Sequence, residues 1–220
     1  MIKKIINVLK QINKIGYLEK KINCQLILSA YILSKYNLDN IDKIISNIQL
    51  AEFKVFSQWG DDGIIDFLVN YLDIENKIFI EFGVSDYEEA NTRFLLIKNN
   101  WEGLVIDSSK ANIDKIIKDE IYWKYNLNAQ CHFITKNNIN DIIKNSGISG
   151  EIGLLHIDID GNDYWIWKEI SVISPVIAII EYNSIFELNP WTIPYIENFE
   201  RTKFHYSNLY CGASLVLYVI

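Results

Sequence analysis

The stretch Leu154–Trp167, which reads LLHIDIDGNDYWIW, decides the fold class of this chain. An apolar run from Ile152 stops abruptly in three aspartates, a glycine and an asparagine, and aromatic residues follow at once. A short buried strand that ends in acids and glycine is typical of a parallel α/β sheet, in which ligands bind outside the carboxyl ends of the strands. Aspartates this close together raise one another's pKa values, so we expect a cation, a cationic ligand, backbone N–H groups or water to face them. A solvated turn with Asp as a helix N-cap is the plainer alternative.

Apolar runs of this kind recur about every 25 residues, as expected for strands that alternate with helices. The predicted strands are Ile78–Val84, Gly103–Asp107, Gln130–Thr135, Ile152–Asp158 and Val176–Tyr182. The predicted helices between them are Glu88–Lys98, Lys110–Trp123, Ile139–Lys144 and Asn162–Ser171. This alternation predicts βαβ units, and therefore an α/β fold with a doubly wound, mostly parallel, Rossmann-like sheet.

We expect two domains, a helical appendage over residues 1–50 and the Rossmann-like domain over residues 51–220. In the appendage, apolar residues with lysines between them recur at helical spacing over Ile2–Ile12, and further helices are expected over Gln25–Tyr36 and Ile41–Leu50. A basic amphipathic helix suits a membrane surface. Helices of this type more often cover a protein core, so we expect it to pack on the main domain or, in a homo-oligomer, on a second subunit.

Composition narrows the class of protein. The formal net charge of -7, with no basic stripe, argues against nucleic acid as the main partner. The three cysteines are widely spaced, form no metal-ligand pattern and fit a reducing compartment. No apolar run reaches the roughly 18 residues that a membrane span requires, and the N-terminus lacks the continuous apolar core of a signal peptide. We therefore expect a cytoplasmic protein without a transmembrane segment.

Polar residues lie at the carboxyl ends of the predicted strands, which is where parallel α/β sheets bind ligands. Gly83 permits a tight turn after the first strand, close to Glu81. Asp107, followed by Ser108, ends the second strand, where an acid binds ribose hydroxyls in nucleotide-binding α/β folds. A simple helix N-cap is the alternative for Asp107. No GxGxxG follows the first strand, so a nucleoside cofactor without phosphates suits the site better than a dinucleotide. S-adenosylmethionine is such a cofactor, and its cationic sulfonium favours nearby carboxylates.

Another ligand contact is expected before the sheet. Gln58 lies at the entry of a helix in the segment KVFSQWGDDG, where its side chain can reach a ligand. A plain N-cap would look similar in sequence, and that alternative stays open.

Several segments together resemble the FkbM-like group of small class I S-adenosylmethionine-dependent methyltransferases. They are FIEFGVSD, NTRFLL, WEGLVIDSS, LLHIDIDGNDYWIW, VIAIIEYN and CGASL, between about Phe56 and Ile220. Bacterial members of this group often modify surface polysaccharides or secondary metabolites. The resemblance implies the Rossmann-like sheet of class I methyltransferases and an O-methyltransferase for a small or carbohydrate-linked acceptor, in capsule or O-antigen biosynthesis. Related chains continue past CGASL to a final strand pair, so either the final strands are missing here or the apolar run Ser214–Ile220 pairs differently.

The resemblance also implies roles for individual residues. The Glu81–Gly83 turn would lie along the methionine part of the cofactor, and Asp107 would bind the ribose hydroxyls with Ser108 nearby. The Asp158–Asp163 loop would lie between cofactor and acceptor, so Asp158 is expected to contact the cofactor.

A narrower similarity concerns a metal. The run from Asp158 to Tyr164 is similar to the D-x-D-x-[DN]-x-Y run of cation-dependent O-methyltransferases. By that similarity Asp158, Glu181 and Asn183 are expected to hold a divalent cation such as Mg or Mn, although Tyr182 separates the last two and departs from the pattern. In the alternative, the acids face the positive charge of the cofactor and backbone N–H groups, without a metal.

Two residues are candidates for the chemical step. Asp160 is expected to orient the acceptor or to act as a base, the alternative being a turn acid. His205 is a candidate base because imidazole titrates near neutral pH, the alternative being an ordinary packed or surface histidine. His132 and His156 lie in apolar runs and are expected in the core.

Two other functions stay open. The first is a non-catalytic, cofactor-binding scaffold subunit. The second is an NAD-dependent oxidoreductase, which the missing glycine fingerprint weakens.

Overall fold

The computed structural model of the protein describes residues 2–181, 192–200 and 203, with the backbone alone for residues 2–10, 12 and 13. The chain forms two compact units, one up to Leu72 and one from Asp73 onward. The first unit therefore includes residues 51–72, which the sequence analysis assigned to the main domain. Each unit has a buried apolar cluster of its own.

The first unit is helical. It contains α1 (Ile2–Asp39), α2 (Ile41–Ser46), a short 3-10 helix (Ile48–Ala51) and α3 (Asp61–Tyr71). The prediction of two separate helices within residues 2–36 was wrong, because α1 runs without a break. Gly16 is the sole glycine in α1, and a single glycine costs a helix interior only about 1 kcal/mol. No helix in the described part of the chain is long and apolar enough to cross a membrane.

A buried aspartate closes the loop before α3. The side chain of Asp62 is 0% exposed. Its Oδ2 atom accepts three consecutive backbone N–H groups, those of Val55 at 2.7 Å, Phe56 at 2.6 Å and Ser57 at 3.0 Å. The Asp62 N–H in turn donates to Ser57 Oγ at 3.1 Å. Asp62 therefore fixes the path of residues 55–62.

The second unit is a five-stranded sheet with helices between the strands. Its strands are β1 (Ile78–Phe82), β2 (Glu102–Asp107), β3 (Leu127–Cys131), β4 (Gly150–Ile157) and β5 (Ile173–Ile180). Its helices are α4 (Arg93–Asn99), α5 (Lys110–Lys118), α6 (Glu120–Lys124), α7 (Ile139–Asn145) and α8 (Asp163–Glu169). All strand pairs are parallel, in the order β3-β2-β1-β4-β5. The predicted α/β class and Rossmann-like sheet are thereby confirmed.

Several boundaries differ from the prediction, among them the start of α4 at Arg93 and of β5 at Ile173, and local structure explains two further differences. β3 begins three residues earlier than predicted, at Leu127, because it is an edge strand with alternating buried and exposed residues and lacks a continuous apolar run. The helix predicted over Lys110–Trp123 is interrupted at Asp119, whose backbone is extended. The Asp119 side chain accepts the N–H of Ile121 at 2.8 Å and so starts a new helix, α6.

The strand order places β1 at the centre of the sheet. The chain moves outward from β1 to β3 and then returns to the other side of β1 for β4 and β5. Because parallel crossovers are right-handed, this reversal puts helices on both faces of the sheet. The buried core includes Phe82 on β1, Ile106 on β2, Leu155 on β4 and Ile166 on α8. The loops after β1 and β4 therefore meet where a doubly wound sheet opens a ligand crevice.

Candidate functional site

The loops after β1 and β4 touch at a glycine. Gly83 has φ +77, and a Cβ on it would lie 1.6 Å from the carbonyl oxygen of Asp158. The Asp158 N–H donates to the carbonyl of Phe82 at 3.2 Å, and the Gly83 N–H donates to Ile106 at 2.9 Å. Gly83 is thus required for a close approach of one backbone to another. The predicted approach of a ligand to this turn stays a prediction.

Three carboxylates converge beside this contact. Asp158, Asp163 and Glu181 each offer one oxygen, and these oxygens lie within 4.8 Å of one another. Asp158 follows β4, Asp163 is the first residue of α8, and Glu181 follows β5. Asp163 is fully buried, Glu181 is half-buried and Asp158 is exposed. We call these three residues the acid cluster.

Asp163 is held by the turn that precedes it. Its Oδ1 accepts the N–H of Ile159 at 2.9 Å, and its Oδ2 accepts the N–H of Gly161 at 2.8 Å. Burial raises the pKa of Asp163 to about 6, and the charge of Glu181 adds to this effect, while the two backbone N–H groups oppose it. The Asp163 carboxyl therefore loses its proton near pH 6, and a cation bound at the acid cluster would take the place of that proton.

The pKa of Asp158 is also raised. Crowding of its carboxyl by neighbouring protein atoms is the main cause, although the residue has an exposed edge. The charges of Asp163, Asp160 and Glu81 raise the pKa further, and that of His156 lowers it. The acids of this run thus raise one another's pKa values, as the sequence had indicated.

The predicted metal ligands are brought together in part. Asp158 and Glu181 lie in the acid cluster as expected. Asn183 lies outside the described residues, and Asp163 is the third member instead. Sequence reasoning placed Asp163 in the loop but not among the ligands. The available signal was its position at the start of a helix, five residues after Asp158, which turns it back toward the strand ends.

Glu81 faces the interior. It is 2% exposed, and its carboxylate accepts the N–H of Asn91 at 3.0 Å, the N–H of Thr92 at 3.1 Å, the Thr92 hydroxyl, and His156 Nδ1 at 2.9 Å. A carboxylate has about four acceptor positions, and all are used here. Glu81 therefore supports the loop after β1, and any effect on a cofactor would pass through that loop.

Glu81 and His156 form a buried ion pair. Burial alone would raise the pKa of Glu81, but the hydrogen bond and charge of His156, with the donors of Thr92 and Asn91, outweigh burial and lower that pKa. Burial likewise opposes the charged form of His156, and the Glu81 contact outweighs it and raises the His156 pKa. His156 is in the core as expected, whereas His132 is exposed, contrary to expectation, because it lies just past the end of edge strand β3.

Asp107 joins two loops at the end of β2. Its Oδ2 accepts the N–H of Ser85 at 3.0 Å. Its Oδ1 accepts the N–H of Ser109 at 2.7 Å and the side-chain amide of Asn112 at 3.1 Å. Three of its four acceptor positions are thus used, and the described residues leave one on Oδ2 open. Ser108, next to it, is exposed.

The other predicted residues are placed as follows. Asp160 is exposed, with φ +55, in the turn between Asp158 and Asp163. Gln58 is exposed and belongs to the first unit, where its carbonyl accepts the Lys54 ammonium at 2.6 Å. His205 lies outside the described residues.

The described residues after β5 cover the start of α8. Trp165 Nε1 donates to the carbonyl of Ile193 at 2.8 Å, and the side-chain amide of Asn162 donates to Ile196 at 2.8 Å. The Lys136 ammonium lies 5.5 Å from the centre of the Trp165 ring and 5.2 Å from that of Tyr195. Polar contacts therefore hold residues 192–200 against the start of α8, which includes Asp163 of the acid cluster.

Comparison of the chain with protein-family models finds no match, and comparison with curated proteins finds none either. The resemblance to the FkbM-like group therefore rests on the motifs of the sequence itself. Function has to be inferred from the site.

Proposed function

We propose that the protein is an S-adenosylmethionine-dependent methyltransferase. It would transfer a methyl group to an oxygen of a small or carbohydrate-linked acceptor, in the biosynthesis of a surface polysaccharide such as capsule or O-antigen. One observation carries the proposal. The Gly83 turn and the Asp158 loop meet at the point where the strand order reverses, with Asp107 on one side and the acid cluster on the other.

The charge of the crevice favours this cofactor over a dinucleotide. Carboxylates at the end of β4 and β5 attract a sulfonium and an amino group, whereas they repel a pyrophosphate. The turn after β1 also lacks the GxGxxG segment that holds a pyrophosphate. In the proposal, the free position on Asp107 accepts a ribose hydroxyl with Ser108 nearby, and the turn at Gly83 follows the methionine part.

The acid cluster also fits a divalent cation. Three carboxylate oxygens within 4.8 Å of one another form a donor set of the kind that Mg and Mn prefer. We include such a cation as a second cofactor, held by the acid cluster, with Asn183 as a further expected ligand. When bound, it would act as a Lewis acid on an acceptor oxygen.

The residues of this chain would act mainly by alignment. In-line transfer requires the acceptor oxygen to lie behind the methyl group, and positioning of that kind supplies much of the rate of such reactions. The bond from methyl carbon to sulfur breaks as the bond to oxygen forms, and the acceptor proton passes to a base. Asp160, exposed in the turn after β4, is the proposed group to orient the acceptor or to take its proton. His205 stays the second predicted base.

Calorimetric titration with S-adenosylhomocysteine and with NAD tests the proposal. We expect binding of the first and none of the second. Asp107→Ala should weaken binding by about 1–3 kcal/mol, the cost of a lost charged acceptor. Asp114→Ala, which removes a surface carboxylate on α5, is the matched control and should bind normally.

The other functions predict different results. Binding of NAD in place of S-adenosylhomocysteine would support an oxidoreductase and overturn the proposal. Binding of S-adenosylhomocysteine without methyl transfer to any acceptor in a screen of sugars, nucleotide sugars and small hydroxy compounds would support the scaffold role.

Among the described residues, Cys24 and Cys131 are free, exposed thiols, which supports the proposal that the protein acts in a reducing compartment such as the cytoplasm.

A further inference from the structure

Helix α1 presents an apolar stripe that the described protein leaves uncovered. The stripe consists of Ile15, Leu18, Ile22, Leu26, Leu33 and Tyr36, and α1 has four further exposed apolar residues outside it, Tyr17, Leu28, Tyr31 and Ile32. The spacing of the six stripe residues places them within an arc of about 80° on one side of the helix. Their exposed fractions run from 38% for Leu26 to 64% for Ile15. A different side of α1 makes the contacts of the first unit, through buried Ala30 and the bond from Ser34 to Asp66 on α3.

None of the residues that the structure describes covers the first half of the stripe. Every side chain from Lys14 to Ile22 is exposed. Most helices in proteins owe their stability to the packing of an amphipathic face, and six large apolar groups in one stripe form a patch that marks an interaction surface. The end of α1 therefore requires a partner that buries one side of it.

The net charge of residues 1–21 indicates which kind of partner the stripe contacts. Residues 1–21 contain six lysines and one glutamate and so have a net charge of +5. The rest of the chain has a net charge of -12, which gives the total of -7. Lys14 and Lys21, seven residues apart, lie on one side of the helix, next to the apolar stripe. The Lys21 ammonium lies 4.8 Å from the centre of the Tyr17 ring. Lysines beside an apolar stripe, with an amphipathic aromatic ring among them, are the pattern of a helix that lies in a lipid headgroup layer.

A second copy of the chain fits less well. Parallel pairing of two α1 helices would place two segments with a net charge of +5 side by side. Antiparallel pairing would set the basic half against residues 22–39, where Lys35 and Asp39 cancel. Neither arrangement supplies the negative charge that the lysines call for. An anionic bilayer supplies both that charge and an apolar layer.

We propose that α1 docks the protein on the surface of an anionic lipid bilayer, with the apolar stripe inserted at the headgroup boundary and the lysines on the phosphates. The helix lies on the bilayer and does not cross it. This inference does not depend on methyl transfer.

Vesicle co-sedimentation of the full-length protein tests the proposal. Vesicles of phosphatidylcholine mixed with phosphatidylglycerol should bind the protein, and vesicles of phosphatidylcholine alone should bind at least about tenfold less. Each lysine near an anionic surface contributes roughly a fivefold factor. The double variant Lys14→Glu with Lys21→Glu should therefore lose about twentyfold or more in partition. Raised salt should weaken binding of the natural sequence in the same direction.

Two further variants separate charge from apolar insertion. Leu18→Ser with Ile22→Ser should also lose partition, at unchanged charge. The matched control is Lys118→Glu with Lys144→Glu, two exposed lysines of the second unit, which makes the same change of net charge and should bind vesicles nearly as well as the natural sequence, since neither lysine belongs to α1. Circular dichroism confirms that each variant is folded.

Three results would overturn the proposal. They are equal binding to both kinds of vesicle, no binding to either, and equal loss in the control and in the α1 lysine variant. In the second case, a dimer in light scattering that Leu18→Ser with Ile22→Ser dissociates would assign the stripe to a second copy of the chain.

Discussion

Two buried aspartates, one in each unit, occupy the same local position and differ in their surroundings. Asp62 and Asp163 both lie in the first turn of a helix, both are 0% exposed, and both accept backbone N–H groups from the loop before the helix. The donors are those of residues 55–57 for Asp62, and of Ile159 and Gly161 for Asp163. By sequence and by local geometry both are residues that close a loop.

The difference lies in the neighbouring charge. Asp163 shares its surroundings with Asp158 and Glu181, whereas the described residues form no such carboxylate group around Asp62. Burial raises both pKa values, but like charge adds to the effect at Asp163 alone. Backbone donors are enough to hold one buried carboxylate, so the additional carboxylates beside Asp163 support the cationic ligand proposed above. Asp62 therefore has the surroundings of a structural residue, and Asp163 has those of the proposed site.

The largest effect is expected where the loop after β4 meets the turn after β1. Gly83→Ala would place a methyl group 1.6 Å from the Asp158 carbonyl oxygen, and these two loops would have to separate. We expect a loss of more than about 4 kcal/mol in the free energy of unfolding, measured by urea denaturation. Gly147→Ala is the matched control, because Gly147 also has positive φ but nothing within 4 Å of its Cβ position. It should lose only about 1 kcal/mol. Equal losses would mean that the contact with Asp158 contributes nothing.

The next largest effect concerns the scaffold carboxylate. Asp62→Ala leaves three backbone N–H groups buried without their acceptor, which should cost about 3 kcal/mol in the free energy of unfolding. Asp61→Ala, one position earlier on α3, removes only a charge at the helix N-terminus and should cost less than about 1 kcal/mol. Similar costs for the two variants in urea denaturation would refute the assignment of Asp62 as the residue that closes the loop.

This pair of neighbours shows what sequence can and cannot predict. Nothing in GDDG distinguishes Asp61 from Asp62, because which of them turns inward depends on the angle at which the chain enters α3. The ion pair of Glu81 and His156 is hidden for a related reason. It depends on the register of β1 against β4, which joins residues far apart in the chain. Patterns of period two and 3.6 carry no information on register between strands.

The parts that could be predicted are those that follow from one strand at a time. Each apolar run ends in its polar residues, and parallel strands bring all such ends to one edge of the sheet. For this reason Asp107, Asp158 and Glu181 were correctly expected at that edge. Asp163 was missed as a member of the acid cluster, because the turn after β4 has to form before its side chain points back.

A smaller effect is expected from the titration of Asp163. Its pKa of about 6 lies above the value in an unfolded chain, so the folded state keeps this proton when the unfolded state has lost it. The contribution to stability is therefore greatest at low pH and falls as pH rises from about 4 to about 6, by roughly 2–3 kcal/mol. Asp163→Asn removes the titrating group.

Urea denaturation at several pH values checks this sign. The difference in unfolding free energy between the natural sequence and Asp163→Asn should change across this window and level off above it. Asp114→Asn, on the exposed surface of α5, should follow the natural sequence at every pH. A difference that stays constant with pH would show that Asp163 titrates as an ordinary aspartate.

The smallest effect, and the one that distinguishes the two aspartates most directly, is the response to a divalent cation. A ligand at ten times its Kd stabilises the folded state by about 1.4 kcal/mol, so added Mn or Mg should raise the unfolding midpoint at pH 7. At pH 5 the proton on Asp163 competes with the cation, and the response should shrink. Asp158→Asn, Asp163→Asn and Glu181→Gln should each abolish it, whereas Asp62→Asn should retain it in full, since that carboxylate accepts three backbone donors and belongs to no group of three acids among the described residues. A cation response that survives all three changes in the acid cluster would place the ion elsewhere. No response in the natural sequence would argue against a cation in the acid cluster and favour the alternative, in which these carboxylates face the sulfonium of the proposed cofactor.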